Sequence, residues 1–228
     1  MKGIIFDFNG TLFWDSKLHY DAWREFSKEL RGYEFTDDEM RNKMFGHTNS
    51  DIIEYAIGHK PSAEMVEKYG EEKEALYRKR CLADKENFKL APGAADFLDF
   101  LKEHNIPRTI ATMSEWSNVE FYIREFGLAK WFDTEKIVFS DGNIPGKPAP
   151  DIFRIAAEKI NLNPEDCLVI EDAIAGIRSA QAANIGTIYA IASMEPDEFY
   201  QNISGIDKII HNFDEIDRTI FDCQFSPL

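Results

Sequence analysis

One residue, Phe8, separates Asp7 from Asn9 in the stretch KGIIFDFNGTL, Lys2 to Leu12, and an acidic pair, Glu171-Asp172, closes the apolar run Cys167-Leu168-Val169-Ile170. A carboxylate at the carboxyl end of a buried strand stands where open α/β sheets receive their ligands. Asp7 in that position can serve as a nucleophile, a metal ligand or both. Gly10 lets the chain turn sharply, and Asn9 points to the same side as Asp7 if the strand continues. Asp7, Glu171 and Asp172 are hard oxygen donors of the kind that bind Mg2+. Thr112 offers a hydroxyl at a helix start, where free main-chain N–H groups receive anions. Lys147, in Gly146-Lys147-Pro148-Ala149-Pro150, offers a positive charge. Together these are the parts needed to hold a phosphoryl group and neutralise its developing charge. Each has a plainer reading alone: Lys147 as a surface lysine in a loop, Glu171-Asp172 as an acidic pair favoured at a helix N-terminus.

The elements that must position these residues follow from periodicity. Gly3-Ile4-Ile5-Phe6 is a short strand buried on both faces. Residues 15–88 show only helical patterns: Leu18 to Leu30, a helix capped by Thr36 with Glu39 completing a capping box, a short helix from Asn49 or Ser50 through Ile57, and a long charged helix from Pro61 toward Cys81. From Leu90 strands and helices alternate. Strands are expected at Thr109–Thr112, Ile137–Phe139, Cys167–Ile170 and Thr187–Ile191, with an edge strand at Lys208–Ile210. Helices are expected from Ala91-Pro92-Gly93 through Glu103, over 118–126, from Pro150 to Ile160 and over 173–183. Such alternation implies a parallel sheet with helices on both faces, a Rossmann-like α/β core. The domains are then 1–14 with 89–228 as core, and 15–88 as a helical insertion after the first strand, placed like a lid above Asp7. The tail from Phe213 to Leu228 carries no recognisable chemistry.

Composition narrows the partners. The chain has 228 residues and a formal charge of −15, with 41 acidic against 26 basic residues. That balance speaks against nucleic acid or anionic membrane as a partner, because phosphate-backbone binding needs clustered cations. Cys81, Cys167 and Cys223 are scattered, as expected of reduced thiols in a cytoplasmic protein. No signal peptide or membrane span is visible. A small, highly charged chain is expected to be a monomer.

Four stretches carry a resemblance to the haloacid dehalogenase (HAD) superfamily: Asp7-Phe8-Asn9-Gly10-Thr11, the strand ending in Thr112, the lysine of Gly146-Lys147-Pro148, and Val169-Ile170-Glu171-Asp172 followed by Ala175-Gly176-Ile177. The resemblance covers nearly the whole chain and implies the fold above with a helical cap. It further implies that Asp7 attacks phosphorus and forms an aspartyl-phosphate, which water hydrolyses. Mg2+ would sit on Asp7, Asp172 and the main-chain carbonyl of Asn9, with Glu171 assisting. Thr112 and the N–H groups from Met113 onward would hold phosphate oxygens, and Lys147 would neutralise Asp7 and the phosphate. The implied substrate is a small phosphorylated metabolite such as a sugar phosphate.

Asn9 departs from the pattern. Most phosphatases of the family have there an aspartate that gives a proton to the leaving oxygen and then activates water. An asparagine amide cannot shuttle that proton. The readings are a slow phosphatase or one acting on substrates with a good leaving group, a proton supplied by His19 or His47, a phospho-ligand binder without turnover, and an introduced change at position 9. Within the family the helical insertion resembles that of β-phosphoglucomutase. His19 and Trp23 share a helix face and are read either as a wall over the substrate or as a packed aromatic face. Phe45-Gly46-His47-Thr48-Asn49 resembles the cap's substrate-reading loop, where the mutase has an arginine in place of Asn49. Lys73 matches either a substrate-facing cap lysine or a solvent-facing lysine on a charged helix. The rival activities are a mutase-like phosphotransferase and a dehalogenase proper, the latter disfavoured by Glu171-Asp172.

Overall fold

A strand with no polar side chain needs neighbours on both edges and cover on both faces, and β1 (Gly3–Phe6) has all four residues buried. A computed structural model of the protein describes residues 1–44 and 48–224. They form two compact units, Met1–Trp14 with Lys89–Leu228, and Asp15–Phe88. The second unit consists of α1 (Ser16–Arg31), α2 (Asp37–Lys43), α3 (Asn49–Ile57) and α4 (Ala63–Ala83). Their starts are chemically marked. Thr36 and Glu39 form a reciprocal capping box at α2, Thr48 and Asp51 another at α3, and the Ser62 hydroxyl accepts from the Met65 N–H at α4. Trp23, Phe26, Phe35, Met40, Ile52 and Ile53 make the unit's core.

The first unit continues with α5 (Ala94–Glu103), β2 (Arg108–Glu115), α6 (Trp116–Glu125), β3 (Val138–Ser140), α7 (Asp151–Lys159), β4 (Cys167–Glu171), α8 (Ile174–Ala182), β5 (Thr187–Ile191), α9 (Asp197–Gln201) and β6 (Lys208–Ile210). The six strands form one parallel sheet in the order β3-β2-β1-β4-β5-β6. This is the expected Rossmann-like core. β1 is central, with Ile5 beside Thr109 of β2 and Val169 of β4. The direction of winding reverses between β1 and β4, and such a switch point is where these sheets open a crevice at the strands' carboxyl ends. The last residues of β1 and β4 are therefore the ones placed for ligand chemistry.

Two expectations are corrected. β2 does not stop at Thr112 but runs to Glu115, where pairing with Ser140 keeps the main chain extended. Thr112 thus lies inside a strand, and the helix start falls at Trp116 behind Glu115. β1 ends at Phe6, and residues 7–13 form a closed turn instead of continuing the strand. In that turn Gly10 N–H donates to Phe13 O at 2.7 Å and Phe13 N–H to Phe8 O at 3.0 Å. Among the described residues no helix is long and apolar enough to cross a membrane. Cys81 and Cys167 are free and buried, and burial pushes each thiol up to about 12.

Candidate active site

The Asp7 main-chain N–H donates to Ile170 O at 3.0 Å, which fixes the start of the β1 turn against β4. From that anchor Asp7, Glu171 and Asp172 each bring one carboxylate oxygen within 4.8 Å of the others. Lys147 Nζ donates to Asp7 Oδ1 at 2.6 Å and to Glu171 Oε1 at 2.7 Å, and lies 5.0 Å above the Phe153 ring. Burial works against the lysine's charge. The charges and hydrogen bonds of Asp7 and Glu171 outweigh it, and its pKa is raised. Glu171 Oε2 also accepts the Ala173 N–H at 2.7 Å. Asp172 accepts from the Thr11 hydroxyl at 3.3 Å. Burial, and then the charges of Glu171 and Asp7, push the Asp172 carboxyl well above the usual range. Three clustered carboxylates against one ammonium leave an excess of negative charge. Hard oxygen donors with that excess fit a divalent cation such as Mg2+.

Two glycines make room for this cluster. A Cβ on Gly10, which has φ +76°, would lie 2.1 Å from Asp172 Oδ2, and a Cβ on Gly176 would lie 1.6 Å from Glu171 Oε1. Any larger side chain at either position displaces a carboxylate. Tyr200 of α9 holds the main chain just after β4: its hydroxyl donates to Asp172 O at 2.8 Å.

Asn9 is held by hydroxyls. Its Nδ2 donates to Tyr122 Oη at 2.8 Å, and its Oδ1 accepts from Ser114 Oγ at 2.7 Å and Thr112 Oγ1 at 3.3 Å. Thr112 Oγ1 also accepts the Ser114 N–H at 3.1 Å. The Met113 side chain packs toward the hydrophobic core, so its main chain is what it can offer a ligand. The structure thus gathers Asp7, Asn9, Thr112, Lys147, Glu171 and Asp172 within one unit. Sequence reasoning missed Thr11, Tyr122 and Tyr200 as participants. Thr11 was readable from its place in the first motif. Nothing local marks the two tyrosines.

The residues proposed from the helical unit form their own cluster. His19 stacks on Tyr77 with ring centroids 3.8 Å apart. Its Nδ1 faces Lys73 Nζ at 3.0 Å and its Nε2 faces Asp15 Oδ2 at 3.3 Å. An ammonium only donates, so Nδ1 accepts and the proton sits on Nε2, shared with Asp15. Lys73 is 2% exposed and donates to Glu74 Oε1 at 2.7 Å, so it is not a solvent-facing lysine. Asn49 Nδ2 donates to the same Glu74 oxygen at 3.3 Å. Trp23 is buried in the unit's core, with Lys73 Nζ 5.1 Å over its ring. His47 lies outside the described residues.

The family model for haloacid dehalogenase-like hydrolases matches residues 1–184. The phosphorylated carbohydrates phosphatase of Thermotoga maritima is 31% identical over 195 residues, covering 84% of this chain and 85% of its own. The β-phosphoglucomutase of Bacillus subtilis is 30% identical, covering 81% of each chain. The crystal structure of a HAD hydrolase of family IA, variant 3, from Entamoeba histolytica superposes with a TM-score of 0.91 at 40% identity, over 99% of this chain and 100% of that one. The fold and its acidic cluster define a parallel α/β protein with an inserted helical unit. The chain belongs to the haloacid dehalogenase-like hydrolases.

Proposed function

We propose that the protein is a Mg2+-dependent phosphatase of small phosphorylated carbohydrates, working through an aspartyl-phosphate on Asp7. The observation that carries this reading is the buried Asp7 carboxylate, bonded to Lys147 at 2.6 Å and clustered with Glu171 and Asp172. Asp7 Oδ attacks phosphorus, the bond to the ester oxygen breaks, and that oxygen takes a proton from solvent and departs as the alcohol. Water then attacks the phosphorus of the acyl-phosphate and regenerates the carboxylate. Lys147 offsets charge on Asp7 and on the transferred group. The Thr112 hydroxyl and the main chain of Met113 orient its oxygens. Mg2+, held by Asp7, Asp172 and the Asn9 carbonyl with Glu171 assisting, would supply positive charge to the phosphoryl oxygens. Asn9 can donate a hydrogen bond to the leaving oxygen but keeps its protons, so turnover is expected to be slow. A missing general acid typically lowers the rate by about 10²–10⁴.

Similarity to a phosphatase of phosphorylated carbohydrates supports the substrate class. Isomerisation of one sugar phosphate into another, as in the mutase relative, is the runner-up. The arginine expected of a mutase is replaced by Asn49, which bonds Glu74. The test is phosphate release from a panel of sugar and polyol monophosphates, with and without Mg2+. Release that requires Mg2+ and vanishes in Asp7→Ala is the expected result. Binding without release, in wild type and in Asn9→Asp alike, would show a phospho-ligand binder instead.

A further inference from the structure

We infer that Asn9-Gly10 is a chemical modification site, at which loss of ammonia converts Asn9 to aspartate, and that the β1 turn restrains this conversion while the protein is folded. An asparagine followed by glycine is open to attack by the next main-chain nitrogen, because no Cβ shields it. Gly10 N bonds to Asn9 Cγ, the Cγ–Nδ2 bond breaks, and ammonia departs, leaving a five-membered imide. Water then opens the ring at one of its two carbonyls. The sum is one water consumed and one ammonia released, with no oxidant or reductant. One opening gives aspartate, the other an isoaspartate whose main chain runs through the former side chain.

The folded turn opposes every part of this. Gly10 N–H is engaged by Phe13 O at 2.7 Å. The carboxamide is pinned at both ends, by Tyr122 on Nδ2 and by Ser114 and Thr112 on Oδ1. Attack requires Gly10 N to leave its acceptor and the carboxamide to turn away from three hydroxyls. An unfolded chain has none of these restraints. The products also differ in what they can rebuild. Aspartate keeps the main chain and places a carboxyl among the same hydroxyls, two residues from Asp7, where it can hold the proton that the amide cannot. Isoaspartate lengthens the main chain by one atom inside the turn that Gly10 N–H to Phe13 O and Phe13 N–H to Phe8 O close, so those bonds cannot both re-form in place. Only the aspartate product restores the site. This consequence rests on the phosphatase reading of Asp7, whereas the modification does not.

The experiment incubates the full chain at mildly alkaline pH, folded and in denaturant, for equal times. Peptide mass mapping over Asn9 and an isoaspartate assay then read the conversion. The expected result is amide retained in the folded protein, conversion in the unfolded one, and an intermediate rate in folded Tyr122→Phe. After refolding, phosphate release should rise in proportion to the aspartate fraction. Its limit is the rate of Asn9→Asp protein, about 10²–10⁴ above wild type. Equal conversion folded and unfolded would overturn the restraint, and no conversion in either would overturn the site. Conversion by mass with no gain in Asn9→Asp would leave the modification standing and overturn the catalytic role of position 9.

Discussion

Lys147 is bonded to both Asp7 and Glu171, which are themselves buried. Its removal leaves two carboxylates close together in a dry environment. Breaking a buried ion pair from one side typically costs about 3–5 kcal/mol. Lys147→Ala is therefore expected to lower unfolding stability in urea by about that amount in Mg2+-free buffer, and to abolish phosphate release. A variant as stable as wild type would show that the carboxylates take up protons at little cost. The meeting of Asp7, Lys147, Glu171 and Asp172 was legible in the sequence, because each follows an apolar strand where polar residues have no packing role. The setting of Asn9 was not. Its partners Ser114 and Tyr122 stand 105 and 113 positions away, and it takes β2 pairing beside β1 and α6 packing on the β1 turn to bring them in. Lys73 failed to read as buried for a related reason. Its neighbours in α4 are charged, and its partners His19 and Trp23 come from another helix.

Elements whose ends carry their own chemistry were readable. Thr36 and Glu39 mark the start of α2 in four residues of sequence, and the structure closes the box as expected. Glu39 does more than cap: it receives both Arg31 Nη1 at 2.7 Å and Nη2 at 2.8 Å. Arg31, and then the Thr36 N–H, hold the Glu39 carboxyl far below its usual range against the opposing effect of burial. A depressed carboxylate stabilises the folded state above its unfolded pKa of about 4.3, and that contribution fades as pH falls toward the depressed value. Glu39→Gln should therefore lower the melting temperature at neutral pH, with the gap to wild type closing as the buffer is taken below about pH 4.3. A constant gap would assign the loss to packing. The short α9 had no such signature and went unseen, yet its Tyr200 holds the carbonyl of Asp172. Burial, and then the nearby Asp172 charge, raise this phenol's pKa, so it remains a donor. Tyr200→Phe keeps the ring and removes the bond. It is expected to weaken Mg2+ binding by calorimetry several-fold, in line with the roughly 10- to 100-fold losses seen for outer-shell partners of metal sites. Unchanged Mg2+ affinity would reduce Tyr200 to a packing residue.

At the scale of the whole molecule, a parallel sheet flanked by helices followed from the alternation of strands and helices, whereas the strand order is known from the structure. What sequence patterns could not convey is how the first unit is closed. Its C-terminal stretch lies beyond the match to the family, which ends at residue 184. Without periodicity it reads as a tail without chemistry. In the folded unit it is a structural seal. The N-terminal ammonium donates to Ile220 O at 2.8 Å, and Phe213 N–H donates to Pro92 O at 3.0 Å. Phe213 and Phe221 are buried, and both pack on Phe97 of α5, which in turn packs edge-on against Phe6 of β1. Phe6 directly precedes Asp7, so this aromatic column runs from Phe221 to the strand that leads into Asp7. Truncating a buried phenylalanine to alanine costs about 3–5 kcal/mol when the cavity cannot collapse. Phe221→Ala is expected to lose that much stability by urea unfolding while phosphate release per folded molecule stays near wild type, because β1 remains held on both edges by β2 and β4. A fall in turnover at full folding would mean that the column also sets the position of Asp7.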